Sequence, residues 1–378
     1  MNKKTIASII TMIFIFFVGS GFASDDERCE MHFPDTWSEV SPESVGMDSG
    51  KITSFLSSVR SIGKNMDAVV IRNGQIVGET GSMHSNRDWS SALKPWLSLL
   101  TVLMVQDGTI GSLDEPVNYP GLQDKDRGIT WRHLMLMTSG YANTESPGTK
   151  FAYNDRAISL FIASLRWKLR TDLTKAIKNY LPELNFHSPA IMGGNGRSSA
   201  SLSDYAKLLQ LLMNKGSWDN KPLIKEELIE DAFSKIATES MSSSSNSKGG
   251  YLNIPYIGGG SNQTRSTGHG PGEYVFNGWQ NVFGRFGMPT DFWQANGNWG
   301  RVVAGFSSSL RLIVIVRIEG YYPEPEGSAT AGITLKYLSQ LNDAVKVQCT
   351  NPLGYKEPEP EPEPPVIIPI ITSLLLSI

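Results

Sequence analysis

Apolar and polar residues alternate along two pairs of short runs, one toward each end of this chain. The first pair, Ala68–Arg72 and Gln75–Glu79, flanks Asn73-Gly74, and Asn-Gly between two such runs is the strongest short signal of a β-hairpin. The second pair, residues 301–306 and 310–316, flanks three serines and predicts another hairpin. Strands of an antiparallel sheet are therefore expected from both ends of the chain.

Helical patterns fill the middle of the chain and flank the strands. Ser201–Leu212 is amphipathic, and Glu226–Phe233 continues the helical spacing. Asp48 can cap a helix over about Ser49–Ile62, and Ala329–Val345 predicts a last helix. The first and last helices are natural packing partners, so strand-rich ends are expected to wrap around a helical middle.

The first 23 residues have the pattern of a signal peptide. Lys3 and Lys4 precede an apolar run over Ile9–Val18, and Gly21-Phe22-Ala23 puts small residues where a signal peptidase reads. A retained membrane anchor is the alternative, although the apolar run is short for a span. We therefore expect the remaining chain to be exported, either to a periplasm or as a secreted protein.

The overall composition is that of a soluble globular enzyme. Hydrophobic residues make up 40% of the chain, charged residues 19%, and the formal net charge is −3. This balance does not suggest a nucleic-acid partner. The five histidines (His32, His84, His133, His187 and His269) show no metal-binding spacing, so neither a metal nor another cofactor is expected.

Cys29 and Cys349 are the two cysteines of the chain. In an exported protein, two cysteines near opposite ends predict a disulfide bond. Such a bond requires the two ends of the fold to meet in space, and two free thiols are the alternative.

Residues 351–378 form a tail of unusual composition. Lys356–Pro365 alternates Glu and Pro, which predicts an extended, charged spacer. The 13 residues of Val366–Ile378 are apolar but too few to span a bilayer as a helix. We expect this tail to be disordered or to make weak contact with a membrane.

A nucleophile and a base stand three residues apart in the segment Ser91-Ala92-Leu93-Lys94. Residues at this spacing share one face of a helix, and a serine in the first turn would lie at the positive end of the helix dipole. A desolvated Lys amine has a lowered pKa and can take the serine hydroxyl proton. Pro95 marks where this helix can begin. Alone the pattern is weak, and a capped helix with a surface Lys94 is the plain alternative.

Several ordered landmarks around this pair resemble the serine beta-lactamase and penicillin-binding-protein superfamily, and most of all its class C-like branch of esterases and 6-aminohexanoate-dimer hydrolases. Ser91–Ser98, Gly108–Val117 and Ile129–Gly140 are similar to the nucleophile helix, the loop after it and the next landmark. The resemblance covers roughly Asp48–Val345.

The resemblance implies an α+β fold of the beta-lactamase/transpeptidase type. In it an antiparallel sheet, flanked by N- and C-terminal helices, would come from residues 24–85 and 245–350. An inserted all-helical lobe, residues 86–244, would carry Ser91 and the catalytic tyrosine.

The superfamily's second motif, Tyr-x-Asn, has two candidates. Tyr141-Ala142-Asn143 matches the letters but directly follows Thr-Ser-Gly, where the family usually has an apolar residue. Tyr153-Asn154-Asp155 follows a lead-in, Pro-Gly-Thr-Lys-Phe-Ala, that resembles that of the catalytic tyrosine, and we favour it. Asp155 then stands where Asn is usual and is expected to line the substrate site. The Tyr153 phenol can relay a proton to the leaving group.

The third motif, Lys-Thr-Gly or a His or Trp variant, corresponds to the segment Gly-Asn-Trp-Gly-Arg before the late strands. Asn298 and Trp299 replace the usual pair, and the retained Gly300 lets the backbone approach a substrate closely. The resemblance implies an oxyanion hole made by the backbone N–H groups of Ser91 and Arg301. The missing Lys removes the charge that would bind a beta-lactam carboxylate.

The implied function is an exported serine hydrolase that cleaves a small ester, amide or beta-lactam. Ser91 would form an acyl-enzyme, with Lys94 as the base and Tyr153 assisting. Two alternatives stay open at this point: a D,D-peptidase acting on peptidoglycan, and a catalytically weak or inactive penicillin-binding-like protein, because two motifs are degenerate.

Overall fold

The computed structural model describes residues 24–63, 65–187, 189, 191, 198–238, 241, 262–263, 273–281, 284–297, 301–319, 337–350 and 353–354. The expected signal peptide, the tail from residue 355, the first part of the predicted last helix (329–336) and the segment 298–300 lie outside these residues.

The helices are α1 (Asp25–Arg28), α2 (Ser49–Arg60), α3 (Lys94–Gln106), α4 (Trp131–Met135), α5 (Asp155–Leu169), α6 (Leu173–Tyr180), α7 (Leu202–Met213), α8 (Glu226–Ser234) and α9 (Ser339–Ala344). Among the described residues, no helix is both long and apolar enough to cross a bilayer. The strands are β1 (Asn65–Arg72), β2 (Gln75–Thr80), β3 (Arg87–Asp88), β4 (Tyr153–Asn154), β5 (Ser199–Ala200), β6 (Ser217–Trp218), β7 (Lys221–Pro222), β8 (Asn262–Gln263), β9 (Glu273–Val275), β10 (Gly278–Gln280), β11 (Trp293–Gly297), β12 (Val302–Ser307) and β13 (Leu312–Glu319).

One antiparallel sheet, in the order β2-β1-β13-β12-β11-β10-β9, forms the centre of the fold. The hairpin β1–β2 turns at Asn73 and Gly74, which both have positive φ (51° and 78°), as a tight hairpin turn requires. The late hairpin turns over residues 308–311, whereas the sequence predicts a turn over residues 307–309. Ser307 stays in β12, where its Oγ binds the Asp291 carboxylate at 2.9 Å.

The two faces of the sheet are covered by different helices. Val69 and Ile71 of β1 face the helical lobe, while Val70 between them faces α2 and α9. Phe55 of α2 and Leu341 of α9 are fully buried in this second cluster. The expected α+β architecture, with terminal helices on one face of an antiparallel sheet, is therefore confirmed.

The ends of the fold meet, as the cysteine positions predict. Cys29 and Cys349 form a disulfide bond with a Cα–Cα distance of 5.4 Å. Two buried arginines hold the backbone on either side of it. Arg72 donates to the Val347 carbonyl at 2.7 Å, and Arg311 donates to the Cys29 carbonyl at 2.6 Å.

Candidate active site

Ser91 lies in a 3₁₀ turn, Ser90–Leu93, directly before α3, and not in the first turn of an α-helix as predicted. Pro95 explains this difference, because it has no N–H with which to bond the carbonyl of Ser91, four residues earlier. That carbonyl instead accepts both the backbone N–H and the side-chain amine of Lys94. The proposed nucleophile and base are thus tied together within one turn.

The residue before Ser91 has an unusual backbone conformation. Ser90 has a φ of +47°, in the left-handed region, which costs a residue other than glycine about 1–2 kcal/mol. The turn is held from outside: the Ser90 N–H donates to Asp88 Oδ1 at 2.9 Å, and the Trp89 N–H donates to the Ser198 carbonyl at 3.0 Å. Backbone strain of this kind tends to cluster at active sites and ligand clamps.

The Lys94 side chain is buried, with 2% of its surface exposed. Its Nζ donates to Tyr153 Oη at 2.7 Å and lies 4.7 Å from the centre of the Tyr153 ring. Burial lowers the pKa of the amine from 10.5 to about 7, and the nearby Asp155 carboxylate opposes this shift. Near neutral pH a large share of Lys94 is therefore uncharged and able to accept a proton.

Tyr153 completes this group of three side chains. Burial raises the pKa of its phenol above the usual value, the Asp155 carboxylate raises it further, and a side-chain hydrogen bond with Ser91 acts in the opposite direction. Asn154, the next residue, caps α5 by accepting the Ala157 N–H at 2.7 Å. The α5 cap therefore fixes the backbone beside the phenol.

The end of β11 lies against the Ser90–Leu93 turn, which we call the nucleophile turn after the proposed role of Ser91. Gly297 approaches it so closely that a Cβ at this position would come within 2.5 Å of the Trp89 carbonyl oxygen and 3.3 Å of the Ala92 nitrogen. The three residues that follow Gly297 are outside the described part of the chain. Arg301 leads into β12, and its carbonyl accepts the Ile318 N–H at 2.8 Å. The oxyanion hole of Ser91 and Arg301 stays a prediction.

No protein-family profile matches this sequence, and no curated protein does either. Solved structures do match. A protein of Bacteroides dorei DSM 17855 assigned as a beta-lactamase gives a TM-score of 0.57 at 17% identity, over 79% of this chain and 99% of its own. A Bacillus anthracis protein assigned as a 6-aminohexanoate-dimer hydrolase gives 0.55 at 14% identity, over 84% and 89%. EstCE1, described as a hydrolase with promiscuous acyltransferase activity, gives 0.55 at 13% identity, over 79% and 99%.

This chain has the serine beta-lactamase and penicillin-binding-protein fold. Identities this low establish the fold alone, so the activity has to be argued from the site itself.

The two candidates for the superfamily's second motif occupy different places. Tyr153 contacts Lys94, as the favoured alignment predicts. Tyr141 is 3% exposed in the core, where its N–H donates to Ser139 Oγ at 3.2 Å and its carbonyl accepts from Asn154 at 3.5 Å. The geometry favours Tyr153, and its catalytic role stays a prediction.

Sequence reasoning missed the residues that hold the nucleophile turn from behind. The Trp89 ring lies 4.2 Å from the Tyr205 ring on one side and 5.1 Å from the Arg317 guanidinium on another. Arg317 is buried in an ion pair with Asp67 at 2.8 Å, and Tyr205 Oη donates to the Ala92 carbonyl at 2.5 Å. No local pattern connects these positions, although the helical pattern of 201–212 did place Tyr205 on an amphipathic helix.

The groups that the described residues bring together can exchange protons. Within these ranges, no cluster of three or more His, Cys, Asp or Glu side chains is placed to hold a metal ion. What the site does bring together is a hydroxyl, a buried amine and a phenol, which are groups able to accept and pass on a proton.

Proposed function

We propose that this chain is a serine hydrolase that cleaves an ester or amide bond through an acyl-enzyme on Ser91. The observation that carries the proposal is the buried amine of Lys94. This residue lies three residues after Ser91, and its amine is hydrogen-bonded to Tyr153. An amine that is desolvated in this way is a base suited to neutral pH, and a serine needs such a base to become a nucleophile.

The reaction would run in two halves. Ser91 Oγ bonds to the substrate carbonyl carbon while Lys94 takes the hydroxyl proton, and the backbone N–H groups of Ser91 and Arg301 bind the resulting oxyanion. The bond to the leaving group then breaks as Tyr153 relays to that group the proton that Lys94 took up, which leaves Lys94 neutral again. Water, deprotonated by Lys94, attacks the acyl-enzyme, and the acid leaves as Ser91 regains its proton.

Covalent labelling tests this assignment. A fluorophosphonate or penicillin probe should label the protein, and the adduct should map to Ser91. Ser91→Ala should remove labelling and turnover, whereas Ser90→Ala is the matched control and should keep most of both. An adduct on Ser90, or undiminished hydrolysis by Ser91→Ala, would overturn the assignment. Absence of all labelling would favour the inactive binding protein.

We further propose that small uncharged esters are better substrates than beta-lactams. Asn298 and Trp299 stand where the superfamily usually places a Lys that binds the beta-lactam carboxylate. Losing one charge-assisted hydrogen bond costs about 1.5–3 kcal/mol, or roughly 10–150-fold in binding. Comparing kcat/KM for p-nitrophenyl butyrate and nitrocefin tests this preference. Efficient nitrocefin hydrolysis with negligible esterase activity would contradict it and point to Arg301 as the carboxylate-binding residue.

Export is part of the proposal. The signal-peptide pattern over residues 1–23 supports it, and the Cys29–Cys349 bond is compatible with an oxidising compartment. Mass spectrometry of protein from the periplasmic or culture fraction should show a chain that begins at Ser24 and has no free thiol. An intact N-terminus in the cytoplasmic fraction would contradict export.

A further inference from the structure

A strongly basic stretch runs from the end of α5 through α6. The 13 residues from Arg166 to Lys178 hold five cations and one carboxylate, a formal charge of +4 in a chain whose net charge is −3. The cations are Arg166, Lys168, Arg170, Lys175 and Lys178. All are exposed except Lys168, which is partly buried and lies 4.0 Å from Glu115.

A tryptophan, Trp167, stands between the first two cations of this stretch, Arg166 and Lys168. Among the described residues, Trp167 is the large apolar side chain that stays exposed, at 40% of its surface. Its ring packs edge-on against Tyr119, with the ring centres 6.3 Å apart. An exposed Trp flanked by Lys and Arg is a combination that proteins place at the interface between a bilayer and water. The one carboxylate of the stretch, Asp172, is engaged in capping α6.

This surface lies at the far end of α5 from the candidate active site. α5 begins at Asp155, directly after Tyr153, and Trp167 comes 14 residues after Tyr153. At 1.5 Å per residue, the exposed ring lies about 20 Å along the helix from the phenol. A partner bound there would leave the site open.

Gly354, the last described residue, lies on the side where α3 ends. The Gly354 N–H donates to Asn214 Oδ1 at 3.0 Å, and a Cβ on Gly354 would lie 3.0 Å from a Glu226 carboxylate oxygen. The neighbouring Lys225 N–H donates to Gln106, the last residue of α3, at 2.8 Å. α3 and α5 both begin at the site, so they end on the side away from it.

The sequence after Gly354 supplies a second apolar element. Eleven residues, 355–365, separate Gly354 from the apolar stretch Val366–Ile378. Eleven residues can reach at most about 35–40 Å. The apolar stretch therefore begins within that distance of Gly354, and it offers a second apolar contact with a membrane.

We propose that the Trp167 face, defined as Trp167 with Arg166, Lys168 and Arg170 at the end of α5, docks on the surface of an anionic lipid bilayer. The cations attract the lipid headgroups, and the Trp167 ring inserts at headgroup depth. In this orientation the active site faces away from the bilayer. The proposal does not depend on the proposed hydrolase activity.

Vesicle co-sedimentation of the full chain tests this proposal. We expect binding to vesicles of 30% phosphatidylglycerol in phosphatidylcholine, much weaker binding to pure phosphatidylcholine, and loss of binding in 0.5 M salt. Arg166→Gln/Arg170→Gln should weaken binding about 30-fold, since each cation near an anionic surface is worth about 1 kcal/mol. Trp167→Ala should weaken it further. The control Lys51→Gln/Lys346→Gln removes the same charge from the sheet lobe and should bind like the parent.

Three outcomes would overturn the proposal. The first is equal binding to charged and neutral vesicles, and the second is equal binding by the Trp167-face variants and the control. The third is binding to an acidic polysaccharide with no binding to vesicles. Hydrolysis of a soluble ester should be the same in all variants, so a failure of vesicle binding is separable from a failure of the proposed activity.

Discussion

Replacing Lys94 by Met should stabilise the protein below neutral pH and end catalysis at the same time. Burial lowers the pKa of the Lys94 amine from 10.5 to about 7. At 1.36 kcal/mol for each pH unit, this difference means that burying the charged amine lowers the free energy of unfolding by about 5 kcal/mol. Met is a flexible apolar side chain that can fill much of the space and carries no charge.

The sign and the pH window follow from the lowered pKa. Below pH 7 the folded protein holds the charged amine, and the full penalty applies. Between pH 7 and 10.5 the unfolded chain binds the proton and the folded protein does not, so the stability of the parent rises with pH across this window. Between pH 6 and pH 9.5, the free energy of unfolding of the parent should therefore rise by about 3 kcal/mol relative to that of Lys94→Met.

Urea unfolding at these two pH values measures the effect, with tryptophan fluorescence as the signal. Met also loses the hydrogen bond to Tyr153, which offsets both values by about 1–3 kcal/mol but leaves their change with pH. Lys51→Met, at an exposed position of α2, is the control and should track the parent. If the gap between Lys94→Met and the parent were the same at both pH values, the Lys94 amine would not be desolvated, and its role as a base would lose its physical support.

Three further outcomes are expected. For the parent, kcat/KM should rise through about pH 7 as Lys94 loses its proton, and Asp155→Asn should move this limb to lower pH because the carboxylate raises the pKa of Lys94; a move to higher pH would contradict this electrostatic picture. Tyr153→Phe should slow turnover by roughly 10²–10⁴, whereas Tyr141→Phe should have little effect, and the reverse result would assign the second motif to Tyr141. Arg317→Met should lower the free energy of unfolding by about 1.5–3 kcal/mol, because it removes a charge-assisted hydrogen bond from the buried Asp67 carboxylate, which keeps its ion pair with Arg87 at 3.2 Å; unchanged urea unfolding would rule out the Arg317–Asp67 pair.

Features set by neighbouring residues could be predicted from the sequence. Asn73-Gly74 favours a tight hairpin wherever it stands between two strands, and the turn forms there. Thr130 is a residue type that favours a helix N-cap, and it caps α4 by accepting the His133 N–H at 3.2 Å. Ser91 and Lys94 are likewise only three residues apart, so their closeness in the structure follows from the local chain.

Features that depend on residues far apart in the chain could not be predicted from the sequence. The nucleophile turn rests on Trp89, Tyr205 and Arg317, which are separated by more than a hundred residues along the chain and share no periodic pattern. The 3₁₀ form of the Ser91 turn did have a local signal in the missing N–H of Pro95. That signal indicates the start of the helix, whereas the shape of the preceding turn also depends on Gly297 packing against it.

The pairing of β1 with β13 sets the order in which this protein can fold. Their register joins Asn65 to Glu319, so β1 is synthesised about 250 residues before its partner. Sequence-distant pairing of this kind slows folding, and until it forms, the open edge of β1 invites aggregation. The contacts within the helical lobe join residues that are closer in sequence, so they can form before β13 is synthesised.

The candidate active site also depends on this late pairing of β1 with β13. Gly297, which packs against the nucleophile turn, belongs to the same sheet and comes after most of the helical lobe. A chain halted before residue 312 would already contain Ser91, Lys94 and Tyr153. It would still lack β13, which joins the β11–β12 pair to β1, and with it the sheet against which the site is built.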